Sequence, residues 1–167
     1  MSKRAIMNKK QLEEHFVNLI SENESMIYKI CNIYANSNSE KEDLKQEIIY
    51  QLWKSLPSFR GEAKVQTWMY KVALNTALYF NKKKSHPLTD FSNAEMREEE
   101  SPMETEEQLK KLYKAIRVLD NIDRAIILLY LEKKTYLQIS EIIGITEKHV
   151  SVKLVRIKDK LKTLLLV

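Results

Sequence analysis

Glycine and proline are nearly absent, with 2 Gly and 3 Pro in 167 residues. An all-β sandwich or barrel needs a tight turn about every 8 to 12 residues, and those turns draw on Gly, Pro and Asn. A chain this poor in turn residues cannot supply them. With 44% apolar residues it has enough material for one medium core or two small ones, so a mostly helical chain is expected.

The same scarcity excludes whole classes of chemistry. No GxGxxG, P-loop or GxSxG segment is present, so no glycine-rich loop can cradle a phosphate or present a nucleophile. His15, His86 and His149 lie far apart, with no second Cys or His at ligand spacing, and no metal site is expected. No cofactor or catalytic residue emerges. The lone Cys31 can make no internal disulfide, and its neighbours Ile27, Ile30 and Tyr34 predict a buried thiol. No run of about 18 uncharged apolar residues occurs. The start, Met1 to Lys10, lacks the apolar stretch of a signal peptide. The expectation is a cytoplasmic protein without membrane insertion.

Charge divides the chain. Residues 1–84 carry 14 basic and 9 acidic side chains, residues 85–107 carry 1 and 8, and residues 108–167 carry 13 and 6. Two basic lobes thus flank a strip of net charge −7. That strip holds Pro87, Pro102 and the run Glu98-Glu99-Glu100, and shows no helical apolar stripe. It reads as a linker, a solvated tether, with the alternative that its negative charge competes with nucleic acid for the lobes. The expected architecture is all-α: a first small helical domain over 8–84, a flexible acidic linker over 85–107 and a second helical domain over 108–167.

In the first lobe, Ser21-Glu24 and Ser39-Glu42 fit the capping-box spacing and predict helix starts near 22 and 40. Met26, Ile27, Ile30, Cys31, Ile33 and Tyr34 recur at three and four residues, as do Leu44, Ile48, Ile49, Leu52, Trp53 and Leu56. Asp43, Gln46, Glu47 and Gln51 fall towards the other side of the second stripe. Pro57 ends it, and Ser58 to Ala63, with Gly61, forms a turn or loop. A third helix from Val65 to about Lys84 interleaves Thr67, Trp68, Tyr70, Lys71, Asn75, Tyr79 and Asn81 with basic residues. Aromatics stack on unpaired bases, an amide can read a base edge and lysines neutralise phosphates, so this face suits single-stranded nucleic acid; the alternative is that Trp68 and Tyr70 are core or half-buried packing residues and the lysines merely solubilise.

The second lobe opens at Thr105-Gln108 with another capping-box spacing. A short, very apolar helix follows over Asp123 to Leu131. Tyr136 to Val150 then gives the most specific local pattern: Ile139, Ile142 and Ile143 bury one helix, Gly144 turns the chain, and Val150, Leu154 and Ile157 bury the next. That is a helix-turn-helix. On a wheel of about 100° per residue, Lys148, Val152, Val155 and Arg156 point away from the buried stripe, with His149 and Ser151 at its margins. Such a helix fits a major groove, where Arg156 meets phosphate or a guanine edge and a valine meets a thymine methyl.

Taken together, these segments resemble the extracytoplasmic-function type of RNA polymerase sigma factor, over roughly residues 10 to 165. Asp43-Leu44-Lys45-Gln46-Glu47 with Leu52-Trp53 is similar to the segment that docks on the clamp helices of the polymerase β′ subunit. Phe59-Arg60-Gly61-Glu62 followed by Thr67 to Asn75 is similar to the segment that melts the promoter. The resemblance implies a polymerase contact at Asp43, Gln46, Glu47 and Gln51. It implies capture of a flipped base of the minus-10 element by Phe59, Arg60, Gly61, Lys64, Lys71 and Asn75. It implies minus-35 duplex contacts by Lys148, His149, Ser151, Val152, Val155 and Arg156. Arg124 also fits the pattern ahead of the helix-turn-helix. The implied partners are core RNA polymerase, through the β′ clamp helices and the β flap, promoter DNA and an inhibitory anti-sigma factor. Asp120-Asn121, where relatives often have Leu-Pro, and Ser140, where Ala is common, depart from the pattern.

Two rival readings are a stand-alone helix-turn-helix regulator with an N-terminal sensing or dimerisation lobe, and a metal-dependent nucleic-acid enzyme using Glu98, Glu99 and Glu100. The first needs a ligand pocket or dimer seam in residues 10 to 84. The second needs a rigid site that a proline-flanked strip does not supply.

Overall fold

A computed structural model describes residues 8–84 and 103–166. The acidic strip from 85 to 102, with Glu98, Glu99 and Glu100, lies outside the described residues, as does His86. Among the described residues there are eight α-helices, one 3-10 turn and no strand. The helices are α1 (Lys9–Glu22), α2 (Glu24–Tyr34), α3 (Asn38–Ser55), α4 (Val65–Lys84), α5 (Met103–Arg117), α6 (Asn121–Leu131), α7 (Tyr136–Ile143) and α8 (Glu147–Leu165).

The helix starts differ from the capping-box expectations. Ser21 lies inside α1, whose start is set by Asn8: its side chain accepts from the Gln11 amide while Gln11 accepts from the Asn8 amide. Asn23 separates α1 from α2, donating from Nδ2 to the Leu19 carbonyl at 2.8 Å. Ser37, not Ser39, caps α3 by accepting from the Glu40 amide. Thr105 sits inside α5, which already begins at Met103, so residues 103–107 of the acidic strip are helical. Glu106 and Glu107 form i,i+4 ion pairs with Lys110 and Lys111, an arrangement that supports a helix rather than a tether.

Leu44, Ile48 and Leu52 are fully buried on one face of α3. Each contributes about 1.5–3 kcal/mol by leaving water. They pack against α4 through Met69, Ala73, Leu74 and Ala77, and against α2. The helix α1 joins through Phe16, whose ring meets Trp53 of α3 edge-on at 5.0 Å. In the second lobe Ala125 to Leu129 of α6 are all buried and form the hub on which α7 and α8 pack. At its C-terminus α6 closes in a Schellman arrangement: the Lys133 amide donates to the Tyr130 carbonyl and the Lys134 amide to the Leu129 carbonyl. The left-handed residue of this turn is Lys133, at φ 58°, where glycine is usual.

The lobes pack together. The helix α2 meets α5 and α6, and α4 meets α6 and α7.

Candidate nucleic-acid interface

The loop before α4 is the first component. Pro57 and the 3-10 turn Leu56–Ser58 end α3, and Gly61, at φ 73°, turns the chain towards α4. This brings the Phe59 ring to 4.9 Å from Trp68, tilted by 31°. Arg60, Lys64 and Lys71 are exposed around this aromatic pair, and Asn75 is exposed one turn beyond Lys71 on α4. Phe59, Arg60, Lys64, Thr67, Trp68 and Lys71 line a cleft of about 880 Å³. The chemistry is a stackable aromatic surface rimmed by cations, which suits an unstacked base and its phosphate.

At Tyr70 the packing alternative holds. Tyr70 is only 4% exposed and its hydroxyl donates to Glu132, the residue that caps the end of α6, at 3.4 Å. Burial, with the Glu132 carboxylate beside it, pushes that phenol well above its ordinary range. Asn81 likewise turns to the second lobe, donating to the Asn121 side chain at 3.4 Å.

Asp43, Gln46 and Glu47 are exposed on α3, opposite its buried stripe, and Gln51 is partly exposed. Gln51 Nε2 donates to Glu47 Oε1 at 2.9 Å, which holds that carboxylate in place along the helix.

In the second lobe, Thr135 and Gln138 form a reciprocal capping box that starts α7. Gly144, at φ 84°, ends α7, and the Thr146 side chain accepts from the His149 amide to start α8. Val150, Leu154, Ile157 and Leu161 are buried. Lys148, His149, Val152, Val155 and Arg156 are exposed, and Ser151 is partly so. The wheel reading therefore matches the packing. Two lysines on the flank of α8 hold it in place instead: Lys153 pairs with Asp123 of α6 at 2.9 Å, and Lys158 stands 4.0 Å from the Tyr130 ring.

The residues that sequence reasoning missed lie between the lobes. Lys29 of α2 ion-pairs with Glu132, and the Tyr34 hydroxyl donates to the Asn121 carbonyl at 2.6 Å. Arg117 Nε donates to the Asn32 carbonyl at 2.8 Å. Arg124, noted in the sequence, donates to the Leu119, Arg117 and Ile33 carbonyls. No local spacing signals these pairs, whose members stand 85 or more residues apart, Arg124's two short-range bonds excepted. Among the described residues no three His, Cys, Asp or Glu side chains gather as a metal site, and no helix is long and apolar enough to cross a membrane.

Comparison with known proteins agrees with this layout. Residues 19–86 match the family model for sigma-70 region 2, and residues 109–161 match that for sigma-70 region 4. The ECF RNA polymerase sigma factor SigW of Bacillus subtilis is 23% identical over 97% of this chain and 95% of its own length. The sigma factor YlaC of the same organism is 25% identical over 72% of this chain and 74% of its own. SigG of Mycobacterium tuberculosis is 35% identical over 29% of this chain, and that match spans 13% of SigG. Among solved structures, the sigma factor RpoE of Bartonella quintana, in complex with the anti-sigma factor NepR, superposes with a TM-score of 0.76 at 18% identity, covering 92% of this chain and 98% of that one. Both halves of one fold are thus present, in the family's order and over nearly the whole chain. The chain belongs to the sigma-70 family, within its extracytoplasmic-function type.

Proposed function

We propose that this chain is a promoter-specificity subunit that binds core RNA polymerase and directs initiation by reading a minus-35 duplex and melting a minus-10 element. The observation that carries this reading is the Phe59–Trp68 pair ringed by Arg60, Lys64 and Lys71 on the lobe that matches region 2. A duplex reader acting alone has no use for such a surface.

In this reading the exposed carboxylates Asp43 and Glu47, with Gln46 and Gln51, face basic groups on the polymerase clamp. The second lobe lays α8 in the major groove with Lys148, His149, Ser151, Val152, Val155 and Arg156 towards DNA, and is the part that meets the β flap. The first lobe takes an unstacked base of the non-template strand into the cleft lined by Phe59, Arg60, Lys64 and Lys71, with Gly61 turning the loop that carries Arg60 and Asn75 one turn further along α4. Unstacking costs a few kcal/mol, offset by stacking and phosphate contacts. The chain makes and breaks no bond itself. As with RpoE of Bartonella quintana, whose solved structure carries an anti-sigma factor, an inhibitory protein of that class is the expected regulator. The chain acts with the polymerase in the cytoplasm.

Asn75→Ala tests the assignment. Permanganate reactivity of unpaired thymines should fall about tenfold, as for loss of one good base contact, while affinity for core polymerase stays unchanged. Equal loss of both would remove Asn75 from the melting face. Tight binding of the chain alone to a palindromic duplex would favour the stand-alone regulator.

A further inference from the structure

The cleft beside the Phe59–Trp68 pair is lined from the second lobe as well as the first. Leu137, Gln138 and Glu141 of α7 border it together with Arg60, Lys64 and Lys71. Its volume of about 880 Å³ falls within the roughly 300–1,000 Å³ of sites that take a small organic ligand. We infer that this cleft binds a free guanine nucleotide. The base lies against the aromatic pair and Leu137, its Watson–Crick edge meets Glu141 and Gln138, and its phosphate meets Arg60, Lys64 and Lys71. The cleft is the one that takes a promoter base in the proposed function, but the inference rests on the side chains of α7, which that function does not use.

Apolar surface for the two faces of a base is the first argument. Phe59 and Trp68, both half-buried, offer one such surface. Leu137 offers the other: it is 52% exposed, on a helix whose Ile139 and Ile142 are buried. A flat aromatic ligand between them takes that leucine out of water and stacks on the rings. Leu137 and Glu141 are four residues apart and so share one face of α7, with Cβ atoms about 5–6 Å apart. A base resting on the first therefore presents its edge near the second.

The choice of base is the second. Glu141 is exposed, and among the described residues it has no ion-pair partner. A carboxylate in a cleft disfavours a polyanionic strand but accepts well from a pair of parallel N–H donors. Guanine presents such a pair, at N1 and N2, whereas adenine and cytosine set a ring acceptor beside their amine and uracil sets carbonyls beside its single N–H. Gln138 completes the match. Its Oε1 accepts from the Thr135 amide at 2.9 Å, which leaves Nε2 as a donor for the O6 of guanine.

Charge is the third. Arg60, Lys64 and Lys71 are exposed, and none pairs with a carboxylate among the described residues. The other carboxylate of the cleft, Glu62, lies on the loop between Arg60 and Lys64. Three cations against that one carboxylate leave two positive charges at this end, and a phosphate monoester carries about −1.5 to −2 at pH 7. Arg60 suits it further, since a guanidinium fork meets two phosphate oxygens at once. A nucleotide so held occupies the place of the unstacked promoter base, so each excludes the other.

Calorimetric titration of the full-length chain with guanosine, adenosine, cytidine and uridine monophosphates tests the site. The guanosine nucleotide should bind about tenfold more tightly than the other three, as for one good bidentate contact to a base edge. Glu141→Gln should remove that preference by lowering guanosine monophosphate affinity about tenfold, while Leu137→Ala should weaken all four alike. Circular dichroism establishes that each variant folds. No binding of guanosine monophosphate at millimolar concentration overturns the inference, as does equal affinity for all four nucleotides or a preference that survives Glu141→Gln. Displacement of guanosine monophosphate by an equal concentration of inorganic phosphate also overturns it, because the cations alone would then account for binding. Core polymerase binding is measured on the same samples. Its absence would sink the sigma reading and leave the nucleotide result standing, whereas failure of the nucleotide to bind leaves polymerase binding as it was.

Discussion

Cys31 shows how a single residue reports on its surroundings. It is 3% exposed, and burial pushes its thiol up to about 11, only partly opposed by Lys45. Thiolate is the reactive form, so the native chain should react with a thiol reagent at pH 8 at least a hundredfold more slowly than the urea-unfolded chain, given a shift of about two pH units. The shift also sets a direction in pH. The folded state holds the Cys31 proton more tightly than the unfolded state, so stability should fall as pH rises from about 9 to about 11. Melting curves of Cys31→Ala over that range should show a shallower fall than the parent, and parallel falls would contradict the assignment. Burial of Cys31 was legible from Ile27, Ile30 and Tyr34 because helical neighbours are set by local spacing. Packing of Tyr70 was one of two readings its sequence allowed, but its partner was not legible, because Glu132 lies 62 residues away. An aromatic next to lysines reads equally as a stacking platform or as one end of a seam.

Among the elements, α8 depends on its ends. Thr146 supplies the hydrogen bond that starts α8, so Thr146→Ala should lower stability by about 1 kcal/mol and weaken minus-35 binding, both measurable by denaturant titration and duplex affinity. The left-handed turn before α7 predicts the opposite sign: Lys133→Gly relieves the strain at φ 58° and should raise stability by up to about 1 kcal/mol. A loss of stability there would show that the lysine side chain matters more than its backbone. The helix-turn-helix was legible because Gly144 and the stripe Val150, Leu154, Ile157 are both local. Element starts were less so. Ser21 and Ser39 match the capping spacing, but Asn8, a full helix before Ser21, and Ser37, just upstream of Ser39, already cap the backbone, and a helix once begun continues through a serine at small cost. The whole of α1 was unassigned because its buried positions Phe16 and Leu19 are too few to reveal a stripe.

Across the whole molecule, division into two basic lobes about an acidic strip follows from charge counts, whereas the packing of one lobe on the other does not. That seam rests on Lys29, Tyr34, Arg117 and Glu132, residues with no local signature, and its formation is a balance between buried carbonyl contacts and desolvated guanidinium groups. Under the proposed function, the same two-lobe plan would let weak separate contacts suffice, since each site raises the effective concentration of the other. The acidic face of α3 is where the account meets the polymerase. The deciding measurement is the affinity of the purified chain for cognate core RNA polymerase, compared with that of Asp43→Ala combined with Glu47→Ala. The account predicts a stable complex that the double substitution weakens at least tenfold, as for the loss of two charged contacts, with helical content unchanged because both side chains are exposed. Failure of the parent chain to bind core polymerase would contradict it.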